Sequence, residues 1–376
     1  MKIKVNTILF ILLIISYCFT SNDRGENGSS LIKYGSLIVC IAFEIYCYFS
    51  HNTGNRMKNE YKGLLIFAAV ITCYSVLRSV LVLHFSFRTI QELLFLVCPM
   101  IYGYLVINNW GKKDVYNNFK YGVTISFICY LLSLDMNFRQ IYAAFLQANF
   151  GESTSELESF TFCGLALAFF LYFCYYDKKK VYIVISFLFV LMTFKRLFIA
   201  IALLLLLLAR FKYRDKSVPT KVINISIILL FLFGIAYYFL LQPDMVRVLE
   251  MKYSIDISEL TTTRSDRMRW LINSNYESYG FGSSTEYMYK YFYGALEMDF
   301  NKIIIELGFI PAFIFVAAYI RFAKANTYVF IFMCLMLVNL IMSSGLTGTF
   351  AWCVIFITIS MISIYPEKKS NSINKT

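Results

Sequence analysis

The chain has 376 residues, of which 59% are hydrophobic and only 15% charged, and its mean hydropathy is +0.62. Soluble globular domains carry roughly 25% charged residues, whereas several stretches here run for about 18 nearly uncharged apolar residues, which is typical of transmembrane helices. The net charge of +12 does not indicate nucleic-acid binding, because the cations are scattered in short segments between apolar runs and fit a role in membrane topology.

Apolar runs predict an all-α integral membrane protein, because a membrane-spanning helix satisfies its own backbone polar groups inside lipid. About twelve transmembrane helices are expected, on the usual length of a span. The first is predicted to be a retained span rather than a signal peptide, since no clear small-residue cleavage site follows it. The predicted spans are 5–20, 31–50, 64–86, 92–109, 120–136, 160–176, 181–194, 197–210, 221–241, 301–320, 326–343 and 347–364.

The charged residues between these spans predict how the chain crosses the membrane. Basic residues precede the first span and follow every second span after it. The segments between them, such as SNDRGENGSS and GESTSELESF, are neutral or acidic. Because the cytoplasmic loops of membrane proteins are enriched in Lys and Arg, both termini are predicted to be cytoplasmic.

Two adjacent cations, Lys195 and Arg196, interrupt the apolar run from Val181 to Ala209. A single helix here would place two basic segments on opposite sides of the membrane, so the alternation predicts two short helices that meet at the outer face. Each arm would be about 21 Å long, shorter than the hydrocarbon core of about 30 Å. The two cations are then either snorkelling side chains at a helix end or part of an outward-facing pocket that requires positive charge.

The segment from Gln242 to Phe300, which we call the long loop, lies outside by the same alternation. It carries six cations, nine carboxylates and seven tyrosines. Uncovered loops of this length are usually functional or disordered, and the aromatic content argues against disorder. The chain is therefore predicted to have a transmembrane bundle at 1–241, an extracytoplasmic cap at 242–300 between spans nine and ten, and three last spans with a cytoplasmic tail at 301–376.

Inside the long loop lies the stretch TTTRSDRMRWLINSNYESYGFGSS. Arg264, Arg267 and Trp270 fall on one face if this stretch is helical. A guanidinium offers a planar fork of donors that suits phosphate oxygens. The alternative is a solvated amphipathic helix in which Asp266 pairs with Arg269 or Arg267, and the charge spacing alone favours neither interpretation.

Three carboxylates, Glu297, Asp299 and Glu306, lie around the start of the tenth predicted span. Either Asp299 or Glu306 can pair with Lys302, because both lie within one helical turn of it. As chemistry, a carboxylate at the mouth of a membrane site can act as general base towards a hydroxyl group. The sequence leaves both interpretations open.

The ten cysteines all lie in apolar runs, no Cys-x-x-Cys pair occurs, and the chain has only two histidines. Cysteine as a small buried apolar residue explains this distribution. Neither a disulfide framework nor a metal site is predicted, and no cofactor is expected.

Three segments resemble bacterial O-antigen polymerases, of the O-antigen ligase/polymerase superfamily of polytopic membrane glycosyltransferases. TFKRLFIAIALLLLLLARF is similar to the family's Thr-x-x-Arg hairpin and leucine-rich helix, which puts Arg196 at the family's arginine. TTTRSDRMRWL resembles the loop motif in which an arginine precedes a tryptophan, and that arginine aligns with either Arg264 or Arg267. YGFGSS followed by LEMDFNKIIIELGFI is similar to the family's Gly-x-Gly turn and Glu-Leu-Gly helix start. The first 150 residues match only in span pattern.

One departure from the family pattern is informative. The ligase branch has a histidine-asparagine pair before its Glu-Leu-Gly helix, where this chain has Leu296-Glu297-Met298-Asp299. A histidine base is therefore not expected. The resemblance favours a polymerase over a ligase and leaves the base unidentified.

The resemblance implies transfer of a glycan from undecaprenyl pyrophosphate onto another lipid-linked repeat unit, at the periplasmic face of the bacterial cell inner membrane. The implied partners are undecaprenyl-pyrophosphate-linked glycans and membrane lipid, with a chain-length regulator as a further candidate. The expected pyrophosphate-binding residues are Arg196, Lys195, Arg264 and Arg267. The expected base is Asp299 or Glu297, and the expected sugar-binding residues are Trp270 and Tyr279.

The main alternative is a transporter, such as a flippase for lipid-linked oligosaccharides, with a similar number of spans. Transporters often show internal repeats and a binding site at the membrane midplane. No repeat is evident in this sequence, and its largest loop is predicted to be external. These features favour the polymerase.

Overall fold

The structure, a computed structural model, describes residues 4–20, 27–50, 54–134, 139, 142–143, 160–176, 180–254, 256–292 and 294–366. Of these residues 81% are helical, and no strand occurs among them. The helices, in chain order, are α1 (Val5–Thr20), α2 (Asn27–Ser50), α3 (Lys58–Val82), α4 (Phe87–Asn109), α5 (Lys112–Ser133), α6 (Phe160–Tyr176), α7 (Val181–Met192), α8 (Arg196–Ala209), α9 (Thr220–Leu240), α10 (Pro243–Tyr253), α11 (Ile257–Leu260), α12 (Arg264–Asn273), α13 (Ser283–Tyr291), α14 (Asp299–Leu307), α15 (Phe309–Phe322), α16 (Thr327–Met342) and α17 (Thr349–Ile364).

The apolar helices indicate a membrane-embedded protein. Four of them, α2, α3, α4 and α9, are long and apolar enough to cross a membrane. Seven shorter apolar helices accompany them: α1, α6, α7, α8, α15, α16 and α17. Large apolar side chains such as Phe49 and Leu81 are 78% and 77% exposed on this bundle. A surface of this kind promotes aggregation in water but is favourable in contact with lipid.

The helix α5 overlaps the fifth predicted span, 120–136, but it belongs neither to the four long apolar helices nor to the seven shorter ones. Its first half carries Lys112, Lys113, Asp114 and Lys120. Its buried residues nevertheless pack against α1 and α6. A twelfth span over α5 therefore stays a prediction.

Two helices form the centre of the bundle. All side chains from Leu165 to Tyr176 in α6 and from Thr349 to Ile362 in α17 are buried. A helix that is apolar around its whole circumference belongs in the core of a large protein or in a membrane, and here other helices surround both α6 and α17. The two helices approach each other closely at Gly164, where an added Cβ would lie 3.1 Å from the Cβ of Ala351. Small residues of this kind are typical of helix contacts in membranes.

The apolar run from Val181 to Ala209 is two helices, as the sequence predicts. The helix α7 ends at Met192, and α8 begins at Arg196. Phe194 between them adopts a positive φ of 52°, a conformation that ends a helix. The two cations thus lie at the junction of two helices, whereas the side of the membrane on which they lie stays a prediction.

The tenth predicted span, 301–320, is expected to be a single helix, and the structure differs from this expectation. The chain forms α14 and then α15, which are separated at Gly308. Gly308 has φ 98° and ψ −178°, a region that only glycine adopts readily. Pro311 follows in the first turn of α15, where a missing backbone N–H leaves no hydrogen bond unmade. The break separates a polar helix that carries three charged residues from the apolar helix that follows.

The long loop is largely helical and contains α10 to α13. It has a second apolar cluster, distinct from the main core of the bundle, whose buried members are Leu241, Met268, Leu271, Met288, Leu296 and Met298. A cluster that joins residues from both ends of the loop holds it in a compact arrangement.

We predict that Gly308→Ala destabilises the protein. An alanine at this φ and ψ costs on the order of 1–3 kcal/mol of backbone strain. Gly63→Ala in α3 is the matched control, because its Cβ would meet no atom within 4 Å and an alanine favours the helix. Thermal unfolding in detergent, followed by circular dichroism, should show a lower Tm for Gly308→Ala only. Equal Tm values for the two variants would contradict the assigned break.

Candidate functional site

A cavity of about 330 Å³ lies where the junction of α7 and α8 meets the long loop and α16, and we call it the cationic cavity. The residues that line it are Lys195, Arg196, Leu197, Tyr237, Leu260, Thr261, Thr262, Arg264, Asn339, Met342 and Ser343. Three of the four predicted pyrophosphate ligands therefore come together, although about 70 residues separate them in the chain. The described lining contains no carboxylate, so its formal charge is positive.

The three cations are held in different ways. Lys195 is only 8% exposed, and its Nζ donates to Ser343 Oγ at 3.3 Å. Arg196 is exposed at the first position of α8. Arg264 is the first residue of α12, and its Nη1 donates to Thr262 Oγ1 at 2.6 Å. The buried charge of Lys195 at the junction is the costliest of these arrangements to maintain, because burial removes it from water.

Two polar side chains at the cavity have hydrogen-bonding capacity left over. Asn339 of α16 is fully buried, and neither its Oδ1 nor its Nδ2 has a partner among the described residues. The buried Nε of Arg264 likewise has none. A buried donor or acceptor without a partner costs about 1–3 kcal/mol. A polar ligand in the cavity is therefore favoured by the groups that it would satisfy.

The backbone adds to the positive potential of the cavity. Arg196 and Arg264 are the first residues of α8 and α12, and helix N-termini carry unpaired N–H groups and a partial positive charge. Two helix starts beside three cationic side chains make an arrangement suited to an anion such as a phosphate group.

Arg267, the fourth predicted ligand, does not line the cationic cavity. Its Nη1 lies 2.7 Å from Glu297 Oε1 and donates to the backbone oxygen of Ala295 at 2.8 Å. Glu297, one of the two predicted bases, is thus paired with one of the predicted pyrophosphate ligands. The pair joins the start of α12 to the end of the long loop.

Asp299, the other predicted base, is buried at the start of α14. Its Oδ2 accepts the backbone N–H groups of Gly345 and Leu346 at 2.6 and 2.7 Å. Its own N–H faces the backbone oxygen of Ser343 at 3.4 Å. Asp299 therefore fixes the turn at 343–348, which ends α16 and contributes Ser343 to the cationic cavity, but it does not itself line that cavity.

The burial of Asp299 also affects its protonation. Burial raises the pKa of its carboxyl group to about 6, although the two backbone N–H groups and the charge of Lys302 oppose this rise. A carboxyl group with a pKa near neutrality suits proton transfer at physiological pH.

Glu306 makes a contact that the sequence analysis missed. It is fully buried, and its carboxylate accepts the backbone N–H groups of Gly282 and Ser284, both at 2.8 Å. The hydroxyl of Ser284 donates to it as well, at 2.6 Å. The Gly-x-Gly turn and the Glu-Leu-Gly helix, which the sequence presents as two separate motifs, are thus one structural unit. The carboxylate lies at the N-terminus of α13, where a negative charge is favoured.

The helical spacing suggests that Lys302 pairs with Asp299 or Glu306. In the structure it pairs with neither of them, and its partner is Glu92 of α4. The Lys302 Nζ lies 3.1 Å from Glu92 Oε2, and Arg88 Nη2 lies 2.7 Å from Glu92 Oε1. Glu92 and the Lys302 side chain are almost completely buried. This ion pair joins residues 210 positions apart. No local spacing in the sequence reveals it.

The two predicted sugar-binding residues lie in different places. Trp270 lines a cavity of about 400 Å³ in the long loop, and its ring packs against the rings of Tyr287 and Phe292. Tyr279 instead packs against His84, with ring centroids 4.4 Å apart, and its hydroxyl donates to Glu286. Burial raises the pKa of the Tyr279 phenol, which stays protonated near neutral pH.

Among the described residues, no group of three or more His, Cys, Asp and Glu side chains could hold a metal ion. No protein-family model matches the chain, and no curated protein is significantly similar to it.

We predict that the two kinds of ion pair differ strongly in their effect on stability. Glu92→Gln leaves the buried ammonium of Lys302 without its direct partner, which commonly costs about 3–5 kcal/mol. Asp114→Asn removes the partner of the exposed Lys4, and exposed pairs contribute roughly 0–1 kcal/mol. Unfolding of both variants in a denaturing detergent should show a large loss only for Glu92→Gln. Similar losses would contradict the structural importance of the Glu92–Lys302 pair.

Proposed function

We propose that this chain is a glycosyltransferase that polymerises undecaprenyl-pyrophosphate-linked oligosaccharide repeat units into O-antigen or a related surface polysaccharide. The reaction takes place at the periplasmic face of the bacterial inner membrane, with both termini in the cytoplasm. The observation that carries the proposal is the cationic cavity, where Lys195, Arg196 and Arg264 meet in a lining without carboxylates. The resemblance of the same segments to O-antigen polymerases supports the reaction class.

The chemistry requires positive charge at this place. A hydroxyl oxygen of the acceptor sugar bonds to the anomeric carbon of the donor glycan, and the bond from that carbon to the pyrophosphate oxygen breaks. Negative charge then develops on the undecaprenyl pyrophosphate that leaves. Fixed cations in a partly buried site stabilise this charge more effectively than water does, because they need no reorganisation during the reaction. The amide of Asn339 supplies a further donor.

Asp299 is the better of the two candidates for the base that takes the proton of the acceptor hydroxyl. Glu297 is engaged in an ion pair with Arg267, whereas the backbone N–H of Asp299 contacts the backbone oxygen of Ser343, which lines the cationic cavity, and burial raises the pKa of the Asp299 carboxyl to about 6. A base of this pKa is ionised at neutral pH and still accepts a proton readily.

The sugars of the substrate require a different surface. The cavity beside Trp270 combines the faces of Trp270 and Phe292 with the polar groups of Asp266, Asn273 and Ser274. Aromatic faces cover the apolar sides of sugar rings, and amide, hydroxyl and carboxylate groups bind sugar hydroxyls. We assign this cavity to the glycan, and Tyr279 stays a second predicted sugar contact.

The proposal is tested by incubation of the purified protein with lipid-linked repeat units, with a chelator present because no metal is assigned a role. Gel electrophoresis of the products should show a ladder of increasing chain lengths. A flippase moves its substrate without joining repeat units, so the absence of a ladder with a folded, substrate-binding protein would contradict the polymerase.

We predict that the arginines of the cationic cavity are far more sensitive to substitution than Arg267. Arg196→Ala and Arg264→Ala should each lower the polymerisation rate by about 10²–10³, the usual effect of removing one donor to a developing anion. Lysine at either position should restore little activity, because it lacks the planar fork of donors. Arg267→Ala, at a part-exposed ion pair, is the matched control and should retain most activity. Equal effects in all three variants would remove the special role of the cavity.

We also predict a dependence of the rate on pH. The base must be ionised, so the rate should fall as the pH decreases through about 6, where Asp299 takes up a proton. Asp299→Asn should lower the rate by about 10²–10⁴, the usual contribution of a general base, and abolish the acidic limb. Asparagine keeps an oxygen that accepts the N–H groups of Gly345 and Leu346. If the Asp299→Asn variant is active, Asp299 is not the base and its role is limited to holding the turn at 343–348.

A further inference from the structure

A second cavity, of about 260 Å³, is lined in part by residues of the turn at 343–348, and we call it the Lys33 cavity. Lys195 lines both this cavity and the cationic cavity. Its further lining includes Lys33 and Tyr34 of α2, Gly345 and Thr347 of the turn, and Trp352 of α17. The described lining again contains no carboxylate, and Lys33 forms no ion pair with any described residue. The cavity therefore presents two ammonium groups and several hydroxyls to a ligand.

An apolar groove adjoins the Lys33 cavity, and we call it the α2–α4 groove. It has a volume of about 290 Å³, and Tyr34 and Thr349 line both the groove and the cavity. Three of the groove's residues, Ile38, Phe87 and Leu94, are 57%, 79% and 49% exposed at the outer surface of the bundle. The groove is thus open towards the side that faces lipid.

The combination restricts the chemistry of the ligand. A free anion such as inorganic phosphate uses the lysines but leaves the groove empty, and a neutral lipid uses the groove but brings no anion to the half-buried ammonium of Lys33. An amphiphile with an anionic head and a hydrocarbon tail uses both. Its head lies beside Lys33 and Lys195, and its tail leaves through the α2–α4 groove into the bilayer.

We infer that the Lys33 cavity and the α2–α4 groove together bind a second polyprenyl pyrophosphate, the one that carries the acceptor glycan. This inference rests on the proposed function, because polymerisation requires two lipid-linked substrates at the same time. The pyrophosphate of the donor departs and gains negative charge. It therefore occupies the cationic cavity, where the guanidinium groups of Arg196 and Arg264 lie. The pyrophosphate of the acceptor takes no part in bond breaking and needs only to be held.

The position of Lys195 explains how two negatively charged head groups can bind close together in one protein. Like charges at short distance repel each other strongly where water is excluded. Lys195 lines both cavities and is almost completely buried, so its charge lies between the two pyrophosphates. The turn at 343–348 contributes residues to both cavities, so the arrangement keeps both substrates near each other, which raises their effective concentration.

The test counts bound lipids by native mass spectrometry of the purified protein in detergent with added undecaprenyl pyrophosphate. Two lipids per chain are expected for the wild type. Gly35→Leu adds an isobutyl group to the lining of the groove, and its Cβ meets no atom within 4 Å. This variant should bind one lipid. Lys33→Ala, a second and smaller change, should weaken the second binding event about tenfold or more, as expected when a charged hydrogen bond is lost.

Matched controls lie in α3. Gly63→Leu also places its Cβ where no atom lies within 4 Å, and Lys62→Ala removes an exposed lysine. Neither residue lines the Lys33 cavity or the groove, so both controls should bind two lipids. Binding of two lipids by Gly35→Leu and Lys33→Ala as well would overturn the inference. Equal occupancy of the second site by phosphatidylglycerol, lost in the same variants, would overturn it too, because the site would then be a general lipid site.

Kinetics distinguish this inference from the proposed function. With the donor saturating, Gly35→Leu should raise the KM for the acceptor about tenfold or more and leave kcat nearly unchanged. Arg264→Ala should lower kcat instead. If two lipids bind but no polymer forms in the wild type, the proposed function fails and the second lipid site stands. If polymer forms and Gly35→Leu changes neither the binding nor the KM, the second site fails alone.

Discussion

Asp299 accepts two backbone N–H groups from the turn at 343–348, and the arrangement of both cavities depends on these hydrogen bonds. The turn contributes Ser343 to the cationic cavity and Gly345 and Thr347 to the Lys33 cavity. A glycine-rich turn has many accessible conformations, and its backbone groups must find partners when buried. A single buried carboxylate satisfies two of them at once and thereby selects one conformation. The break at Gly308 permits this, because it frees α14 to carry polar residues to the turn.

Buried charge in this protein falls into two groups that differ in what surrounds them. Glu92, Lys302 and Glu306 are satisfied by side chains and backbone within the chain, so they hold α4, α13 and α14 together. Lys195 instead lines two cavities whose described linings contain no carboxylate. A buried charge that is matched inside the protein adds specificity to the fold, whereas positive charge that faces a cavity is available to an anionic ligand.

The sequence predicts much of the helical arrangement because apolar length and charge are local properties. The junction of α7 and α8 follows from two cations in an apolar run and from the alternation of basic segments, whereas the grouping of Arg264 with Lys195 and Arg196 is expected from the resemblance to O-antigen polymerases. The pairing of Lys302 with Glu92 could not be predicted, since nothing in either segment identifies its partner across the fold. The sequence also did not reveal that Arg267 pairs with Glu297. Arg264 and Arg267 share a face of α12, but a carboxylate at Glu297 lies within reach of Arg267 only.

The position of Lys195 and Arg196 is difficult to explain by structure alone. A cation in the hydrocarbon region costs at least about 2.5–3.5 kcal/mol on insertion scales, and snorkelling to the surface lowers that cost. Arg196 is exposed and fits this explanation, but Lys195 points inward and remains almost completely buried. A leucine at this position would lose the contact of the Lys195 Nζ with Ser343 Oγ and would place an apolar group in the lining of both cavities. The inward lysine fits the proposed role in ligand binding, since an anion in either cavity would offset part of the cost of burying its charge.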